Sequence, residues 1–195
     1  MYLKRQDPYA LVKSMTAVKM GDRFVQVGCA HGGRLGAVAG KVGLSGRAVV
    51  VAPDEESAER ARKGAAEEGV LVEVEVAPLT QLPLEDAGFD LAVVDDSTGL
   101  LGTMRAEDRV AAIRELVRVL RPGGRAIVFG AAPRGGLGAL ISRTQSGPPF
   151  VASGDAARAL EADGFKSVRE LGAREGLVFV EGIKPREAGQ AGKAG

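Results

Sequence analysis

At 195 residues and 20.1 kDa the chain has the size of one domain and can bury a core without disulfides or metals. With 26 basic and 25 acidic side chains its net charge is +1, which supplies no field for holding nucleic acid or an anionic membrane. One cysteine (Cys29) excludes an internal disulfide and one histidine (His31) excludes a multi-histidine metal site. No apolar run reaches signal-peptide or membrane-span length, so the expected setting is reducing and cytoplasmic.

Asp7-Pro8 marks a helix start, with Leu11, Met15 and Val18 at helical spacing, and predicts a lead helix to about Ala17. A first strand, Arg23 to Val27, runs into the small-residue loop GCAHGG and a helix from about Gly33 to Val42. Arg47 to Val51 reads as a strand buried on both faces. Asp54 then caps a helix with an alanine inner stripe that ends at Gly69. A third strand is expected over Val70 to Val76 and a fourth over Phe89 to Val94, ending in Asp95-Asp96-Ser97.

The following helix shows Val110, Ile113, Val117 and Leu120 on one face and stops at Arg121-Pro122-Gly123-Gly124, before a fifth strand, Arg125 to Phe129. A glycine-rich connection from Gly130 to Ser153 holds a short helical turn at Leu137 to Ile141. A helix over Asp155 to Ala162 and a hairpin of Lys166 to Leu171 with Leu177 to Ile183 complete the pattern. This divides the chain into a lead (1–20), one α/β domain (21–185) and a disordered polar tail (186–195).

Strands alternating with helices predict a parallel sheet whose ligand lies beyond the carboxyl ends of the strands. The loops at 28–33, 52–54, 77–79 and 95–99 share that edge, which makes Gly28, Ala30, Gly32, Ala52, Leu79 and Asp95 the expected lining of one crevice. Glycines after a strand allow a ligand close to the backbone, and the helix behind them offers free N–H groups.

Three stretches, VQVGCAHGG at 25–33, the LP…FDLAVV pattern at 82–94 and ELVRVLRPGGRAIVF at 115–129, make the chain similar to the class I S-adenosylmethionine-dependent methyltransferases, in particular the small quinone-biosynthesis type. The resemblance covers residues 7 to 185 or so. It implies a Rossmann-like, doubly wound sheet of seven strands in the order 3-2-1-4-5-7-6 with strand seven antiparallel, S-adenosylmethionine as cofactor, and methyl transfer to a small acceptor.

The family loop reads acid-x-Gly-x-Gly-x-Gly, whereas Gln26, Gly28, Ala30 and Gly32 stand at those positions. The acid that grips the ribose diol is replaced by Ala52, and the aspartate that accepts from the adenine amino group by Pro78, while Asp54 lies two residues past the ribose position. Loss of two charged hydrogen bonds at about 1.5–3 kcal/mol each weakens binding roughly 100- to 10,000-fold.

Local readings remain paired. His31 is a general base or a loop residue; Cys29 is a packing residue or a nucleophile. Asp95 and Asp96 are a substrate-facing pair, a metal-ligand position or a strand-end cap, and no partner ligands follow strand five, so no metal is expected. Arg134 and Arg143 are anion-holding or solvated. Two functions follow: an active methyltransferase, or a degenerate relative that keeps the fold as a binding or assembly module. A nicotinamide dehydrogenase fits less well, because Gly28 to Gly33 does not match G-x-G-x-x-G.

Overall fold

The computed structural model describes residues 7–133 and 149–186. Its elements are α1 (Ala10–Thr16), β1 (Arg23–Val27), α2 (Gly32–Val42), β2 (Arg47–Ala52), α3 (Glu55–Glu68), β3 (Glu73–Val76), β4 (Phe89–Asp96), α4 (Ala106–Val119), β5 (Leu120–Ala131), α5 (Asp155–Ala162), β6 (Lys166–Arg174) and β7 (Leu177–Ile183). The turn at 137–141, Arg134, Arg143 and the tail beyond Arg186 lie outside the described residues. Among the described residues no helix is long and apolar enough to cross a membrane.

Seven strands form one sheet in the order β3-β2-β1-β4-β5-β7-β6, with β7 antiparallel to both β5 and β6. The central parallel strands β1, β2 and β4 are mostly apolar on both faces because each face is covered, whereas the edge strand β3, Glu-Val-Glu-Val, is largely exposed. On one side Val25, Val49, Ala92 and Val128 pack under α4 and α5; on the other Phe24, Val50, Val93 and Phe129 pack under α1 and α2.

Several boundaries differ from expectation: β6 runs to Arg174 instead of Leu171, β5 runs to Ala131 instead of Phe129, and the following differ for a local reason. β3 begins at Glu73 rather than Val70, because the Val70 N–H donates to Ala65 O (3.0 Å) in terminating α3 after the left-handed Gly69. β4 runs on through Asp95 and Asp96, which pair with Phe129 and Gly130. The Arg121–Gly124 turn is an irregular excursion within β5, where the Gly123 N–H donates to Lys184 O and Gly124 O accepts from Lys184 N, both at 2.9 Å. Leu120 therefore opens a strand, and the inner face of α4 is Ala112, Ile113, Leu116 and Val119.

Candidate functional site

β1 ends at Val27, and Gly28 turns the chain at φ +73° while its N–H donates to Val51 O (2.9 Å). Gln26, 2% exposed, donates from Nε2 to Gly28 O (2.9 Å) and so braces the turn from inside. A carboxylate in its place has no proton to give. The next peptide is clamped to α3: the Cys29 N–H donates to Ser57 Oγ (3.0 Å), and Cys29 O accepts from Arg60 Nε (2.9 Å). Burial pushes the Cys29 thiol up to about 11, which makes it a packing group. Ala30 is half-buried, and exposed His31 begins α2 with the Tyr9 ring edge-on at 5.7 Å.

The two glycines that follow serve packing. A Cβ on Gly32 would collide with Arg60 O and stand 3.0 Å from Gly64 Cα, so Gly32 faces α3 and not the crevice. On Gly33 it would stand 2.5 Å from Tyr9 Cζ, which shows that the lead segment lies across the start of α2.

At the ends of β2 and β3 stand Ala52, Asp54, Pro78 and Leu79. Ala52 is fully buried, and its carbonyl accepts from Ala77 N (3.0 Å). Asp54 is committed as the cap of α3, with Oδ1 accepting from Ser57 N at 2.7 Å. Pro78 is exposed and its carbonyl accepts from Gln81 N, while Leu79 is buried in the core below.

The charged part of the site stands at the end of β4. Asp95 is 1% exposed; its Oδ1 accepts from Ser97 N (3.1 Å) and Ser97 Oγ (2.5 Å), whereas Oδ2 has no partner among the described residues. Leaving such a buried acceptor unsatisfied costs about 1–3 kcal/mol. Arg34, from the first turn of α2, places Nη1 3.2 Å from Ser97 Oγ and 3.9 Å from Asp95 Oδ1, with its guanidinium 5.9 Å from the Phe129 ring centre. Leu100 lies directly over Gly28, where a Cβ would collide with its Cδ2 and stand 3.8 Å from Asp95 O. Asp96, the next residue along the strand, accepts on Oδ1 from Leu101 N (2.5 Å) and Gly102 N (3.4 Å), and burial pushes it up to about 6. Those bonds assign it to shaping the 97–102 loop.

Gly28 and Asp95 are thus neighbours, and Ala52, Pro78 and Leu79 follow the same edge of the sheet, whereas Gly32 contributes its side to α3. Arg34, Ser97, Leu100 and Tyr9 were not among the residues expected from the sequence. Arg34 carried a signal: it is a charged residue in the first turn of a helix, GGRLGAVAGKV, whose other residues up to Lys41 are small or apolar. A separate hollow of about 600 Å³, lined by residues that include Val42, Leu44, Val70 and Leu71, lies away from these residues, at the amino edge of the sheet. It has none of the convergent loops of the carboxyl edge, which remains the better candidate on chemical grounds.

Residues 24–124, just over half of the chain, match the family described as methyltransferase domain. An uncharacterized 37.1 kDa transposon protein of Streptomyces fradiae is 36% identical over 108 residues, which are 55% of this chain and 30% of that protein. The 27-O-demethylrifamycin SV methyltransferase of Amycolatopsis mediterranei is 33% identical over 114 residues, 57% of this chain and 39% of that enzyme. The chain therefore spans only 30% to 39% of the length of these two relatives. Among solved structures, a SAM-dependent methyltransferase from Aquifex aeolicus superposes with a TM-score of 0.69 at 21% identity, covering 91% of this chain and 89% of its own. The cyclase SpnF does so at 0.68 and 21%, covering 92% and 80%. Strand order, the glycine turn after β1 and the family match converge on one conclusion: the chain belongs to the class I S-adenosylmethionine-dependent methyltransferase family.

Proposed function

We propose that the carboxyl-edge crevice binds S-adenosylmethionine weakly and that the protein transfers its methyl group to a small acceptor, in a reducing, cytoplasmic setting. The observation that carries this reading is the buried Asp95 Oδ2, without a partner among the described residues, beside the Gly28 turn. S-adenosylmethionine is cationic at its sulfonium and its ammonium, so the donor set fits the group at its charged end. At the nucleoside end Ala52 and Pro78 leave backbone and apolar contacts alone, which is why the binding is weak. When bound, the cofactor supplies an electrophilic methyl group, and positioning of an already nucleophilic acceptor accounts for most of the acceleration. The chain's own part is to hold the turn with Gln26, present the free N–H groups at the start of α2, and keep water from the crevice with Leu100.

A second reading is favoured by one observation: Leu100 occupies the space above Gly28, and Ala52 is sealed. In that reading the fold serves as a binding or assembly module. The same fold is found in the cyclase SpnF, so fold alone does not fix the chemistry. Titration calorimetry with S-adenosylmethionine and S-adenosylhomocysteine separates the two. Saturable binding in the roughly 0.1–10 mM range, a micromolar site weakened by the two missing carboxylates, is expected. No heat with either ligand would leave the module reading, and micromolar or tighter binding would show that the two losses had been made good.

A further inference from the structure

We infer that the amino edge of the sheet, opposite the crevice, is a docking surface for a short extended segment of a partner protein that carries apolar side chains and a lysine or arginine. The inference goes beyond the cofactor reading and does not depend on it. Four large apolar side chains stand exposed among the described residues, and three of them gather here: Leu44 (94% exposed), Leu71 (84%) and Met20 (80%). Leu44 and Leu71 line the hollow of about 600 Å³ together with Val70 and Val72. A Cβ on Gly43, in the same wall, would stand 3.5 Å from Met20 Cγ. Single exposed apolar side chains need no cause, whereas such a gathering marks a contact surface.

The hollow runs into β3, which ends the sheet on this side and pairs with β2 alone among the described strands. The Ala77 N–H donates to Ala52 O, so the alternation along the strand turns the N–H and C=O of Val74 and Val76 outward, to where a further strand would lie. Glu73 and Glu75 alternate with these valines, and both are exposed. Arg47 holds Glu73 at 2.8 Å, whereas Glu75 has no ion pair among the described residues. A cationic side chain opposite Glu75 completes that edge. A second copy suits it poorly: β3 set on β3 about a two-fold axis places the glutamates against each other or against valines, and like charges directly opposite destabilise. The footprint is also small, three side chains and four residues of edge, against about 800 Å² that each partner contributes to a stable dimer. Both arguments favour a short basic and apolar strand.

Fluorescence polarisation on the intact chain tests this with three labelled peptides: Leu-Val-Lys-Val-Lys-Val-Leu, the same peptide with glutamate for lysine, and the lysine peptide with proline for its central valine, which cannot pair along a strand. The lysine peptide is expected to bind saturably and the other two about tenfold more weakly. Leu44→Asp combined with Leu71→Asp should abolish that binding, and Glu75→Lys should bring the two charged peptides to equal affinity or reverse their order. These sites are exposed, so thermal unfolding should not change. No saturable binding of the lysine peptide, equal affinity for the lysine and proline peptides, or a Glu75→Lys chain that keeps the wild-type order would overturn the proposal. So would sedimentation showing a dimer that the double leucine variant breaks, which would give this face to a second copy.

Discussion

Gly32 and Gly64 meet backbone to backbone where α2 crosses α3: a Cβ on Gly32 would stand 3.0 Å from Gly64 Cα, and one on Gly64 would collide with the Gly32 peptide. Gly36 repeats the contact one turn later, against Gly64 O (2.6 Å) and Glu68. Gly32→Val is therefore expected to cost about 3 kcal/mol or more of folding stability, since neither backbone can give way. Gly40, on the same helix, meets only Val70 Cγ1 at 3.4 Å, so Gly40→Ala should be neutral or stabilise by up to about 1 kcal/mol. Urea denaturation of both variants checks the contrast; a fully stable Gly32→Val would refute the packing role.

Gln26 invites replacement by the acid usual in the family. Its Nε2 donates to Gly28 O in a site 2% exposed, so Gln26→Glu sets an acceptor against an acceptor and should destabilise by about 1–3 kcal/mol at neutral pH. Gln26→Leu should lose a similar amount by leaving the carbonyl bare. Denaturation midpoints near pH 7 measure both, and a stabilised Gln26→Glu would show that the loop opens to admit the acid.

Ala52→Asp tests whether restoring the ribose acid restores affinity. Because Ala52 is fully covered, the new carboxyl is buried without a partner, and a loss of about 2 kcal/mol or more is expected with no gain for S-adenosylmethionine. A tenfold gain in calorimetry would mean that the crevice opens over β2 in solution.

Asp96 sets a pH dependence. Burial raises its carboxyl from 3.8 to about 6, so the folded chain holds this proton more tightly than the unfolded chain. Its contribution is fully present below 3.8 and is lost as pH rises through about 6. Asp96→Asn keeps an acceptor for Leu101 and Gly102, and should flatten stability between these values and add on the order of 1–3 kcal/mol at pH 7. Unfolding curves taken from pH 4 to 8 report the slope, and an unaltered profile would assign the proton elsewhere.

The order of helices and strands was legible in the sequence because it rests on local physics. Continuous apolar runs, the Asp54 cap, the Gly69 stop and the hairpin after Gly164 each act within a few residues and set the alternation of elements, whereas the strand order came from the family resemblance. The carboxyl-edge loops followed from that topology, and the absence of acids at Ala52 and Pro78 could be read directly. Only the tertiary structure decided which way each small residue faces. Gly32 looked like a cofactor contact and proves to be the seat of Gly64; Gly28 admits Leu100, from a loop far along the chain. The pairing of Arg34 with Ser97 joins residues 63 apart in sequence and exists because parallel β1 and β4 lie side by side. Periodicity fixes the face an element buries, whereas the partner on that face depends on long-range packing, which no local pattern encodes.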